Sequence, residues 1–240
     1  LDVGCGTGDL VCDAAKLGIN STGIDFAEEM IINAEKNAAE DNLKNTTFEC
    51  CSIFDMDVKN KKFDVVSANG FIEYISYEQL NDFFDIVNDA LLPNGSFVFG
   101  SRNRLFNLIS LNEFTLQELN KTDFTALMEE AVFFSSGGKI ENISKLKIAA
   151  LQEIDIKHSK TGIDVQTRFQ FTPHQLLSML NNKGFKSIGI YPIHIHNLPL
   201  MMKNKFPQIH ASVSNSLQPY GKNHTELIPF SSSFMLHVKK

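Results

Sequence analysis

Glycines fall at every second position in Leu1-Asp2-Val3-Gly4-Cys5-Gly6-Thr7-Gly8, between an apolar run and a helix-forming stretch. Such spacing lets a backbone turn sharply and come within contact distance of a ligand, with helix N–H groups nearby. A loop built for a dinucleotide follows G-x-G-x-x-G and would put a glycine or alanine at position 9. Here position 9 is aspartate and the third glycine comes one residue early. Asp2 and Asp9 flank the loop; they repel a pyrophosphate and suit a ligand carrying a cationic amine and a sulfonium.

Two further carboxylates stand where a nucleoside would need them. Thr22-Gly23-Ile24-Asp25 is an apolar strand ending in an acid able to accept both hydrogen bonds of a ribose diol. In Ile53-Phe54-Asp55 an apolar side chain can pack on adenine beside a carboxylate that accepts from its amino group; a plain turn or cap is the alternative use of that aspartate. His194 and His196 lie two apart in Tyr191-Pro192-Ile193-His194-Ile195-His196 and would share one side of an extended segment. They offer a base pair or two metal ligands, or simply polar positions on a half-buried strand; no third ligand is indicated, so no metal is expected. His174, in the first turn of a helix, is expected at the surface, and His158 carries no pattern. Arg102, Arg104 and Arg168 could clamp an anionic group of a substrate, or be solvated or paired with acids.

Elements that would position these groups read as βαβ units. Strands are predicted at 1–3, 21–24, 47–51, 63–68 and 96–100, with helices at 9–17, 27–42 and 77–92. Met30, Ile31, Ala34 and Ala38 fall on one face of the second helix, and Leu80, Phe83, Phe84, Val87 and Leu91 on one face of the third, which Pro93-Asn94-Gly95 stops. Residues 102–165 break the rhythm and read as a cap or substrate-recognition insertion after the fifth strand, with a helix near 116–134, a Ser135-Ser136-Gly137-Gly138 turn and a mixed run from Ile140 to Lys157. Its Phe106, Phe114, Phe124, Phe133 and Phe134 would form an apolar lid or pack the insertion on the core. The rhythm returns in 166–240: Thr172-Pro173 opens a helix to Lys183, Gly184 caps it, and strands follow at 185–190 and 234–238. The division is thus a core over 1–101, the insertion, and a C-terminal part of the same sheet. Because Leu1-Asp2-Val3 looks like half a strand, the chain is expected to be truncated at its N-terminus.

Composition narrows the partners. With 22 Lys+Arg against 28 Asp+Glu the formal charge is −6, too acidic for a general phosphate-backbone binder. No apolar run reaches the length of an integral membrane segment. Cys5, Cys12, Cys50 and Cys51 all sit in the first quarter without a CxxC pair, which suits reduced thiols and a cytoplasmic protein.

Together the segments LDVGCGTGDL, GIDFAEEMIINA, FDVVSANGFIEYI and LLPNGSFVF, in this order, resemble the class I S-adenosylmethionine-dependent methyltransferases, and GFKSIGI and SSSFMLHVKK resemble their last two strands. The resemblance implies a Rossmann-like α/β fold, a seven-stranded sheet with helices on both faces. It further implies that Asp2, Gly4, Gly6 and Gly8 hold the methionine end of S-adenosylmethionine, Asp25 its ribose, and Phe54 and Asp55 its adenine. Asn69, Gly70 and Phe71 would line the edge near the sulfonium. Many relatives have a histidine after the fourth strand in a motif like LEHV; this chain has Ile72-Glu73-Tyr74-Ile75 there, a departure that speaks against a histidine base at this site and leaves Tyr74, with His194 and His196, as the candidate catalytic residues. The expected reaction is methyl transfer to a small-molecule acceptor, with oxygen as one candidate acceptor atom. A non-catalytic or regulatory S-adenosylmethionine-binding protein is the alternative, and an NAD-dependent oxidoreductase the weaker one. Residue types do not select the acceptor or the oligomeric state.

Overall fold

A computed structural model describes residues 1–58, 61–111, 113–121, 123–152, 169–196, 201–222 and 224–240. The apolar runs form seven strands: β1 (Asp2–Val3), β2 (Ser21–Asp25), β3 (Thr46–Cys50), β4 (Phe63–Ala68), β5 (Leu91–Arg102), β6 (Lys186–Ile195) and β7 (Ser231–Lys239). They make one sheet in the order β3-β2-β1-β4-β5-β7-β6. β1 to β5 are parallel, and β7 runs antiparallel between β5 and β6. Strand order reverses direction at β1, so a crevice opens beyond the carboxyl ends of β1 and β4, where open α/β sheets place their ligands.

The first helices follow their apolar periodicity. α1 (Asp9–Lys16) buries Val11, Cys12 and Ala15, and α2 (Glu28–Glu40) buries Ile31, Ala34 and Ala38. Met30, expected on that face, is instead 41% exposed. α3 (Tyr77–Ala90) starts in a capping box, Ser76 Oγ accepting from Gln79 N while the Gln79 side chain accepts from Ser76 N. It ends two residues earlier than expected because Leu91 already pairs with Phe63. The chain then bulges, so that Val65 pairs with Ser96, and Asn94 takes a φ of 65°.

Beyond β5 the chain turns through a 3-10 segment (Arg104–Phe106) into α4 (Asn107–Ser110), α5 (Glu113–Lys121), α6 (Phe124–Ser135) and a second 3-10 segment (Ile140–Lys145). The single helix expected over 116–134 is therefore two. Asp123 caps the second, accepting from Ala126 N at 3.4 Å. Leu105, Leu127, Phe134 and Ile143 from this stretch share one core cluster with Val66, Phe83, Phe97 and Phe234 of the sheet and α3. α7 (Pro173–Asn182) has a capping box at Thr172 and Gln175. β6 and β7 are both longer than expected, and between them lie α8 (Met201–Lys205), α9 (Pro207–Leu217) and two 3-10 segments that were not expected from the sequence.

Two buried polar features tie the segment after β5 to the rest. Arg104 is fully buried and meets Glu118 of α5 bidentately, Nε to Oε1 at 2.9 Å and Nη2 to Oε2 at 2.8 Å, while Nη1 donates to Ala150 O. Glu118 Oε1 also accepts from Asn107 and Gln152. Removing one partner strands a charge in the core, so Arg104→Met should lower unfolding free energy by about 3–5 kcal/mol in urea titrations. A loss within experimental error would show that the pair contributes nothing net.

Glu130 of α6 is the second feature. Its Oε1 accepts from His174 N at 2.9 Å, and its Oε2 makes no hydrogen bond among the described residues. Burial lifts its carboxyl from an ordinary 4.5 to about 7, partly offset by Thr172 and the His174 amide. The folded pKa lies above the unfolded one, so this group's contribution is complete below pH 4.5 and is lost as pH rises through 7. Glu130→Gln should therefore gain stability relative to the parent across that window. A parallel pair of stability–pH curves would rule the shift out.

Candidate functional site

Gly4, Gly6 and Gly8 all have positive φ, at 69°, 53° and 78°, which is why non-glycine residues do not fit there. A side chain on Gly8 would also stand 2.9 Å from both Ala34 Cβ and the Phe48 ring. Four of the loop's backbone donors are already engaged. Gly4 N and Cys5 N donate to Ile24 O, Gly8 N to Cys5 O, and Gly6 N to Asp25 Oδ2 at 3.0 Å. A pyrophosphate would need those amides free, so the loop is shaped for close approach and not for cradling an anion.

Asp25, at the end of β2, is the centre of this arrangement. Its Oδ1 accepts from Ala27 N at 2.9 Å while Oδ2 takes Gly6 N, and each oxygen keeps a lone pair for a further donor. Cys51 N donates to Asp25 O, which brings the turn after β3 beside it. On that turn Ile53 is buried, Phe54 half-buried against the core and Asp55 exposed.

Asp2 is 8% exposed and accepts from Ser67 Oγ at 2.7 Å. Burial pushes its carboxyl above the usual range, and the Ser67 hydrogen bond offsets only part of that. A buried carboxylate in this state fits a cationic partner. Asp2, Gly4, Ser67 and Asn69 line a cleft of about 1090 Å³ that continues along the sheet past Val65 and Thr22. A Cβ on Gly4 would stand 3.4 Å from the Phe71 ring, so Phe71 lies against the glycine loop. Asp2 and Gly4 thus offer that cleft an acid for an ammonium and a small-residue floor, whereas Asp25, Phe54 and Asp55 are not in its lining and Asp25 joins the site through its bond to Gly6 N.

A second cavity, of about 590 Å³, opens beyond the carboxyl ends of β4 and β5. Asn69 lines both cavities. Its walls hold Asn69 and Gly70, the apolar side chains of Phe106, Phe114 and Phe234, and the polar groups of Asn107, Gln170 and His196. Asn107 donates to Gln170 Oε1 at 2.5 Å and to Glu118 Oε1 at 3.1 Å, so this wall leans on the buried Arg104–Glu118 pair. Glu73, 8% exposed, accepts from Arg102 Nε at 2.7 Å at the rim.

These positions revise several sequence expectations. Arg104 does not reach the cavity; Glu118 and Ala150 O occupy its guanidinium, which removes it as a substrate clamp. Arg102 does line the cavity, paired with Glu73, while Arg168 and His158 lie outside the described residues. Tyr74 is half-buried against the core and lines neither cavity; its neighbour Glu73 faces the site instead. His174 is buried at 4% exposure, not at the surface, because α6 packs over the start of α7 through Glu130.

His194 and His196 both line the cavity, yet not by strand alternation. His194 has a φ of 54°, is exposed, and its N–H donates to Gln218 Oε1. His196 is buried, its ring lies 4.6 Å from that of Phe106, and its Nδ1 is 2.9 Å from Nε2 of His210 on α9. Among the described residues no group of three His, Cys, Asp or Glu side chains could hold a metal ion. Sequence reading missed His210, Glu73, Asn107 and Gln170. Glu73 alone had a signal, standing inside a segment already singled out.

Known proteins point the same way. A family model described as "Methyltransferase domain" matches residues 1–184. A ubiquinone biosynthesis O-methyltransferase of Coxiella burnetii is 34% identical over 108 residues, 44% of each chain. An S-adenosylmethionine-dependent methyltransferase from Methanosarcina mazei superposes with a TM-score of 0.60 at 17% identity, over 100% of this chain and 90% of its own. PKMT2 from Rickettsia typhi, solved in complex with AdoHcy, gives 0.55 at 18% identity over 99% of this chain and 48% of its own. The chain spans about two fifths of the length of the curated relatives it matches. The match over residues 1–184, the sheet order and the glycine loop tied to Asp25 place the chain in the class I S-adenosylmethionine-dependent methyltransferase family, whose cofactor is S-adenosylmethionine.

Proposed function

We propose that this chain transfers a methyl group from S-adenosylmethionine to a hydroxyl of a small-molecule acceptor held in the cavity beyond β4 and β5. The observation that carries this reading is Asn69, shared by the cleft of Asp2 and Gly4 and by a second cavity of about 590 Å³. That volume lies within the range of about 300–1,000 Å³ usual for small ligands. The partial match to a ubiquinone biosynthesis O-methyltransferase supports an oxygen acceptor.

S-adenosylmethionine supplies a methyl group already activated by a positively charged sulfur. The protein's task is alignment and exclusion of water. Asp2 would hold the ammonium, Asp25 the ribose, Phe54 and Asp55 the adenine, and Asn69 to Phe71 the edge between cofactor and acceptor. Phe106, Phe114 and Phe234 give the acceptor an apolar bed, and Asn107 and Gln170 orient its polar groups. Arg102, balanced by Glu73, stands at the rim for an anionic substituent. Residues 102–165 would form the acceptor-selecting cap, on a core made by 1–101 and 166–240. Cofactor binding without turnover is a second reading, favoured by Tyr74 in place of histidine.

Titration calorimetry with S-adenosylmethionine, followed by assays of S-adenosylhomocysteine release over a panel of hydroxylated metabolites, tests this. Binding with hydroxyl-dependent release is expected; binding with no release across the panel would favour the non-catalytic reading. Asp25→Ala removes both the ribose partner and the brace on Gly6, and should weaken cofactor binding by about 1.5–3 kcal/mol, roughly ten- to a hundredfold in Kd. Unchanged affinity would take Asp25 out of the site.

A further inference from the structure

We propose that His196, oriented by His210, takes the proton from an aromatic hydroxyl of the acceptor during methyl transfer. The inference rests on the methyl-transfer reading and adds to it a base and an acceptor class.

The geometry is that of a base with its orienting partner. His196 Nδ1 and His210 Nε2 are 2.9 Å apart, both side chains are buried, and the rings lie 4.7 Å apart at 54°. That contact engages Nδ1 and leaves Nε2 as the ring nitrogen for an acceptor. His196 lines the same cavity as Asn69 and Gly70, whereas His210 does not. His196 is thus the member of the pair that an acceptor can touch.

The surroundings keep this imidazole unprotonated. Burial above all, and then repulsion from protonated forms of His210, Lys203 and His194, bring its pKa down to about 4, so at neutral pH its lone pair is available. Base chemistry requires the tautomer in which His196 Nδ1–H donates to His210 Nε2. When the acceptor O–H proton moves to Nε2, the Nδ1 proton can pass to His210, and the charge rests on the pair. The acceptor oxygen bonds to the methyl carbon as the carbon–sulfur bond breaks, with its electron pair left on sulfur. One positive charge leaves the sulfur and one appears on the histidine pair, later lost to solvent as a proton. No oxidant or metal is needed.

The cavity also indicates the acceptor. A group as weakly basic as His196 suits a hydroxyl of phenolic acidity better than an alkyl alcohol, because proton transfer to it is less uphill. Phe106, Phe114 and Phe234 provide flat apolar surface for a ring.

The test uses a series of para-substituted phenols of graded acidity, with methyl transfer followed from labelled S-adenosylmethionine at mildly alkaline pH. His196→Gln should lower kcat roughly 100-fold on phenol with little change in KM, in line with a lost general base. That deficit should shrink toward none on 4-nitrophenol, which is already ionised. His210→Leu should lose roughly tenfold, and His210→Gln, which keeps a hydrogen-bonding group, should recover most of it. A solvent deuterium effect on the unmodified protein, present with phenol and absent with 4-nitrophenol, tests the same step without a variant. An equal loss on every phenol, or no isotope effect on phenol, overturns the proposal and leaves His196 a packing residue. Transfer confined to amines or thiols, or to no phenol although S-adenosylmethionine binds, overturns it while leaving the family's cofactor chemistry intact; failure to bind S-adenosylmethionine defeats the parent reading too.

Discussion

The glycine-loop end of the molecule depends on one carboxylate. Asp25 takes the amide of Gly6 on one oxygen and that of Ala27 on the other, so a single side chain fixes the glycine loop after β1 and the entry to α2. Without that bridge, the amides of the glycine stretch from Gly4 to Gly8 would keep only Ile24 O and Cys5 O as their acceptors among the described residues. The same contact explains the missing side chain at Gly23. A Cβ there would stand 2.8 Å from Cys5 Sγ, forcing the loop off β2 and away from Asp25. Loop, strand and helix are therefore one unit, and a ligand reaching Asp25 meets a carboxylate already held in place.

The second cavity is organised differently, by a buried ion pair that lies behind its lining. Arg104 and Glu118 join the exit of β5 to α5, and Asn107 carries the contact on to Gln170 at the cavity wall. A hydrophobic pair of similar volume could hold these elements with less desolvation cost. The guanidinium fork, however, fixes the orientation of Glu118, and through it the direction in which Asn107 points. The polar network gives the wall a defined register that packing alone would leave looser.

Much of the first hundred residues was legible because each element there obeys a local rule. Glycines mark the turn, β-rich runs of period two alternate with helices of period 3.6, and Ser76 with Gln79 announces α3. Boundaries slipped where tertiary pairing overrode propensity, as at Leu91, drawn into β5 by Phe63. Beyond β5 the local rules thin out. Asp123, which splits the expected helix into α5 and α6, ends the polar stretch Asn120-Lys121-Thr122-Asp123, a cap signal that the single-helix expectation passed over. For Arg104 the sequence left a clamp and an acid pair both open, because an arginine's burial is decided by a partner 14 residues away. His210 could not be paired with His196 from sequence, since the two meet only when α9 folds back on the end of β6.

The buried Asp2 carboxylate bears on the rhythm of turnover. On the proposed assignment it engages the ammonium, and Asp25, Phe54 and Asp55 engage the nucleoside, all parts that are unchanged when the methyl group departs. The protein's grip on the cofactor is thus nearly the same before and after reaction, and only the charge on sulfur differs. Spent cofactor should compete with fresh cofactor for the same pocket, so the flux through such a site depends on how fast the surroundings clear the demethylated product.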